Sequence, residues 1–159
     1  MTLHQPQKIP HYLLFFILFF TLAGCNKTPK AAAHFVSYEK YSAEDFDTTL
    51  MNLDIAISEH NYRIIHRSTI GQAIRDRGEE DFPLSTITEF CNITYAREMM
   101  EINPDLINAM PCRIAVREEP DGVLVSTRLM DETVADPKQV AFAKRINHNL
   151  TEIIADTVE

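Results

Sequence analysis

Between Cys112 and Met130 two runs rich in β-branched residues flank Glu118-Glu-Pro-Asp-Gly122. Proline presets one turn dihedral and glycine accepts a left-handed one, so this stretch predicts a β-hairpin, Cys112–Arg117 returning as Val123–Met130. A hairpin is marginal alone and needs further strands and an apolar cover. The rest of the chain is therefore read as what completes that sheet.

Two amphipathic helices supply the cover. Phe46, Leu50, Leu53 and Ile57 recur at spacings of four, three and four, which draws one apolar stripe on a helix. Ser42 is its expected N-cap, with Glu44 and Asp45 at the positive end of the dipole, and Asn61 ends it. The second helix opens at Asp136-Pro137, with Asp as cap, Pro at the first helical position and Gln139 reaching back. Its stripe is Val140, Ala143, Ile146, Leu150, Ile153 and Ile154. Further strands are expected at His34–Lys40, Tyr62–Ile70 and Leu84–Cys91. Gly71–Gly78 reads as a helical turn, Glu79–Pro83 as a loop, and Asn92 as the N-cap of a short helix to Ile102, followed by a turn at Asn103-Pro104. The order is strand, helix, four strands with a helical insert between the third and fourth, then a long helix. The class is α+β: two layers, an antiparallel sheet with a long C-terminal helix and a short helical insert.

The chain begins differently. Tyr12 to Gly24 is a 13-residue apolar run after a polar start that carries Lys8 and no acid. A bilayer core takes about 20 helical residues, so the run fits the apolar core of an export signal better than a permanent span. Leu22-Ala23-Gly24-Cys25 resembles the bacterial lipobox. That resemblance implies cleavage before Cys25, a diacylglyceryl thioether on its sulfur and a lipid-held protein in the cell envelope. Asn26, where Asp would favour the inner membrane, implies the outer membrane, facing the periplasm. The expected domains are a signal peptide at 1–24, the lipidated cysteine and a tether at 25–33, and one α+β domain at 34–159.

The full chain has 15 basic and 23 acidic residues. Loss of residues 1–24 removes Lys8 alone among the charges and leaves −9. A domain of that charge repels phosphate backbones, so no nucleic-acid partner is expected. The expected partners are the membrane, through the lipid on Cys25, with a small ligand, an envelope protein or a second copy of the chain.

Phe90-Cys91-Asn92, then Ala96, then Met110-Pro111-Cys112 before a hairpin, resembles the Domain of Unknown Function 302 family. Its pattern is Cys-Asn-Pro, an Ala four residues after the Asn, then Leu-Pro-Cys and a strand. Ile93 and Met110 depart from it. The resemblance implies a TBP-like strand-helix-four-strand-helix fold and carries no activity.

Four groups of residues remain as candidates for function. Cys91 and Cys112 end and begin neighbouring strands, within disulfide reach if they face each other. Strict alternation argues against this: it places Cys91 with Glu89, and Cys112 with Ile114 and Val116. A structural disulfide, two unlinked thiols and a redox or metal-binding pair stay open. Arg63, Arg67, Arg113, Arg117 and Arg128 alternate with the apolar positions of their strands. They are expected together on the sheet face the helices leave open, either as a solvated surface or as an anion-binding one. Ile65, Ile87 and Ala115 on that face would also suit a dimer. His34, His60, His66 and His148 form no metal-ligand spacing, so no metal or cofactor is expected. Met99, Met100, Met110 and Met130 could line an apolar pocket or fill the core. The leading expectation is a non-enzymatic envelope lipoprotein that binds a small ligand or a partner protein. A thiol-dependent redox or enzymatic role for Cys91 and Cys112, and a structural dimer scaffold at the membrane surface, are the alternatives.

Overall fold

The computed structural model describes residues 36–159. The expected signal peptide, Cys25, the tether and His34 lie outside the described residues.

Five strands form one antiparallel sheet in the order β1-β5-β4-β3-β2. They are β1 Ser37–Ser42, β2 Arg63–Ser68, β3 Ser85–Cys91, β4 Cys112–Glu119 and β5 Gly122–Arg128. The helices are α1 Phe46–Glu59, α2 Ile70–Arg75, α3 Ile93–Ile102 and α4 Pro137–Val158, with a 3-10 turn at Pro104–Ala109. This is the expected α+β order. The predicted hairpin pairs Glu119 with Gly122 across the turn, and Gly122 takes a φ of 137° that only glycine adopts without strain.

Both long helices cover the same face. Leu53 and Ile57 of α1 and Ile146, Leu150, Ile153 and Ile154 of α4 are buried with Phe90, Ile114, Val116, Val123 and Val125 of the sheet. Asn147, also buried, uses its amide to bind the backbone N–H and C=O of Met130, fixing α4 against the exit from β5. Gly71 of α2 approaches the next segment so closely that a Cβ there would lie 2.4 Å from the Ser85 nitrogen.

Several local expectations change. Asp45, not Ser42, caps α1, accepting from the Thr48 N–H at 2.8 Å. Ser42 is instead the buried end of β1, its hydroxyl accepting from Thr49. Gln139 gives α4 only its N–H to Asp136, while its side chain accepts from Asn103. Phe142, Asn147 and Thr157 join the buried stripe of α4. The methionines line no common wall: Met99 is buried, Met110 and Met130 pack at the core edge, and Met100 is exposed.

The most consequential change is in β2. A register shift between Ile64 and His66 inserts Ile65 as an extra residue. Such a bulge reverses the alternation beyond it. His66 therefore faces Glu89 on the uncovered side, and Arg67 faces Thr88 on the helical side.

Candidate functional site

The uncovered face can be read from the registers. One row runs Ser37, Arg128, Arg113, Glu89, His66; the next runs Glu39, Ser126, Ala115, Ile87, Ser68; a third holds Tyr41, Leu124, Arg117 and Ser85. Arg63 lies opposite Cys91 at one end. Four of the five expected arginines thus share the face. Arg67 does not: it pairs with Asp54 of α1 and donates to the Thr88 hydroxyl at 3.0 Å, under the helical layer. Strand alternation assigned it wrongly because a bulge leaves no mark in the residue pattern. His66 takes its place on the open face, where its ring lies 3.1 Å from the Ser68 hydroxyl.

These arginines are not equivalent. Arg117 is held 2.6 Å from Glu119, which also accepts from the Tyr41 hydroxyl at 2.5 Å. Hydrogen bonds from Tyr41 and Arg117 pull the Glu119 carboxyl below its usual range. Leu124 is buried beside them although it points to the open side. Arg128 has a contact of its own. Arg63 and Arg113 make no ion pair among the described residues. They flank β3 from β2 and β4, two strand spacings apart across the sheet and two residues apart along it, roughly 12 Å at the backbone, with Cys91 and Glu89 between them. A guanidinium side chain spans half that gap, so both can reach one anion.

The thiols are not bridged. Cys112 lies opposite Phe90, so it points to the helical side and Cys91 to the open side. Both are free. The bridge is missing for the reason alternation gave. Burial pushes the Cys112 thiol up to about 11 and raises Cys91 as well. Both are protonated near neutrality, the opposite of a reactive thiolate. Among the described residues no three His, Cys, Asp or Glu side chains gather as a metal site. His60 lies 2.7 Å from Asp156 and His148 4.0 Å from Glu152.

The family model for Domain of unknown function DUF302 matches residues 38–157. The chain belongs to the DUF302 family. A crystal structure of an uncharacterized conserved protein DUF302 from Bacillus stearothermophilus matches with a TM-score of 0.69 and 16% identity, over 76% of this chain and 97% of that one. At that identity the likeness concerns the fold alone. No curated protein matches the chain.

The residues that carry the DUF302 resemblance form a clasp. Asn92 caps α3, its side-chain oxygen accepting from Thr94 and Tyr95, while its amide nitrogen donates to the Asn61 carbonyl at 2.9 Å. Asn61 sits at a φ of 62°, a left-handed position that Asn tolerates better than most residues. One side chain thus ties the α1–β2 turn to the β3–α3 junction. Ala96 is buried in α3. Pro111, after a cis peptide bond, leads into Cys112. Beneath the clasp, Tyr62 packs edge-on against Phe90 and accepts from the Asn149 amide at 3.1 Å. Its burial pushes the phenol up to about 12. Arg145 of α4 lies over the Tyr95 and Phe142 rings and pairs with Glu98 at 2.6 Å. Sequence reasoning missed this aromatic cluster, because its members come from four separate segments.

Proposed function

We propose that this protein is a lipid-anchored component of the bacterial envelope whose domain acts by binding rather than catalysis, and that its binding surface is the uncovered sheet face. The observation that supports this most directly is the pair Arg63 and Arg113. The described residues include 12 basic and 23 acidic side chains, yet these two, on either side of β3 on the open face, make no ion pair among them. A guanidinium is a planar fork suited to phosphate and carboxylate groups. The lipobox-like Leu22-Ala23-Gly24-Cys25 supports the anchor, and no helix among the described residues is long and apolar enough to cross a membrane. The raised thiols weigh against a redox role for Cys91 and Cys112.

Native mass spectrometry of the chain purified from its host membranes tests the reading. The expected spectrum shows cleavage before Cys25, acyl mass on that residue, and an additional retained mass that disappears when Arg63 and Arg113 are both changed to Gln. Acyl mass with the same ligand population in the double variant would remove the open face from the proposal.

A further inference from the structure

The end of the sheet at which the chain enters gathers three arginines and two exposed apolar side chains. The tether leads through Val36 into Ser37, which pairs with Arg128. The β4–β5 register carries Arg113 alongside Arg128, and Arg63 and Cys91 complete that end on β2 and β3. Two residues beyond Cys91, Ile93 is 81% exposed at the first turn of α3, and Val36 is 51% exposed. The opposite end is acidic. It holds Glu118, Glu119 and Asp121 about the hairpin turn and Glu79, Glu80 and Asp81 in the loop before β3. Near the entry end, Glu89 lies between His66 and Arg113. Asp131 is engaged by Thr133, and Glu132 by Asn147.

We infer that this end of the sheet docks onto anionic phospholipid headgroups of the membrane that anchors the chain, with Arg63 and Arg113 taking lipid phosphates and Ile93 entering the interface. The inference rests on the lipid anchor and open face proposed above, and names their partner. The chain outside the described residues supports it. From Cys25 to Phe35 there are 11 residues, which extend to at most about 40 Å. With that anchor in place the domain is confined close to the bilayer, and its described chain begins at the arginine-bearing end. Confinement raises the effective concentration of headgroups, so weak contacts suffice. Exposed isoleucine beside arginine suits the interface, where an apolar side chain enters and a guanidinium stays with the phosphates. The acidic end is then turned away from an anionic surface that would repel it.

The chain contains no tryptophan, which makes a direct test available. The lipidated Ile93→Trp protein is reconstituted into vesicles of phosphatidylcholine with or without phosphatidylglycerol, each containing brominated lipid. The expected result is quenching of the introduced indole's emission in phosphatidylglycerol vesicles, weakened in pure phosphatidylcholine and at about 1 M salt, where the Debye length is about 3 Å. Each Arg→Gln change, at Arg63 or at Arg113, is expected to weaken headgroup contact about five-fold, the worth of one basic residue near such a surface. Arg77→Gln, which removes an equal charge away from this face, is expected to leave the quenching unchanged. Phe82→Trp, in the acidic loop at the opposite end, reports the background and is expected to stay unquenched. Acyl mass on Cys25 together with equal quenching of the Ile93→Trp and Phe82→Trp proteins would overturn the docking while leaving the anchor in place. Absence of acyl mass would overturn both. Quenching of the Ile93→Trp protein that ignores phosphatidylglycerol, salt and both arginines would overturn the role given to Arg63 and Arg113.

Discussion

At the scale of single residues, position relative to the sheet decides chemistry. Cys91 and Cys112 are neighbours in the fold, yet adjacent backbone positions on paired strands send them to opposite faces. Cys112, pushed up to about 11 by burial, holds only about one thiolate in ten thousand at pH 7. Its alkylation at that pH is expected to be slow in the folded protein and to accelerate sharply on unfolding in urea; fast reaction of the native thiol would contradict the placement. Carboxylates behave in the opposite sense. Hydrogen bonds from Thr48 hold Asp45 low, bonds from Tyr41 and Arg117 hold Glu119 low, and bonds from Thr133 hold Asp131 low. A carboxyl depressed in the folded state contributes stability that is fully present above its unfolded value, near pH 4, and is lost as pH falls through the folded value. Urea melts of the Asp45→Asn protein are therefore expected to show a weaker loss of stability below about pH 4 than the parent. An unchanged acid limb would assign that loss to other groups.

At the scale of elements, α4 is the piece that closes the core. Leu150 and Ile146 lie buried over the sheet, so Leu150→Ala is expected to cost about 2 to 5 kcal/mol in urea melts. A loss well below that would mean that α4 does not seal the sheet. Gly71→Ala is expected to be more disruptive than its size suggests, since its new methyl would meet backbone rather than a side chain that could move aside. What was legible in the sequence follows the same division. The apolar stripes, the Asp136-Pro137 cap of α4 and the Pro-Asp-Gly turn identify α1, α4 and the β4–β5 hairpin, because each is fixed by residues close in sequence. The side on which Arg67 falls was not legible. It depends on a bulge at Ile65 that is set by pairing with β3, and on the Asp54 carboxylate of α1 that receives the guanidinium. The aromatic cluster about Tyr62 was hidden for the same reason, since only the folded chain brings Phe90, Tyr95 and Asn149 to it. For the candidate site, alternation alone found Arg63, Arg113, Arg117 and Arg128; which of them lack a carboxylate partner required the structure.

At the scale of the whole molecule, the proposal is that a lipid on Cys25 joins the DUF302 domain to a membrane and that the open sheet face does the binding. Cys25→Ser is expected to abolish palmitate labelling and to block maturation; continued uptake of label by the substituted protein would refute the lipobox reading. The central claim, that the open face is occupied in place, has a reporter built into the chain. Cys91 points to that face between Arg63 and Arg113, while Cys112 points away from it. The measurement is the rate of Cys91 alkylation by a maleimide in native membranes, compared between the parent and the Arg63→Gln/Arg113→Gln variant, with Cys112 as the internal reference. Removing two cations should by itself reduce the thiolate fraction of Cys91 and slow the reaction. An occupied face predicts the opposite, several-fold faster labelling of Cys91 in the variant because the occupant has been lost, with Cys112 no faster, since loss of the adjacent Arg113 cation only raises its thiol further. Equal or slower labelling of Cys91 in the variant would contradict it.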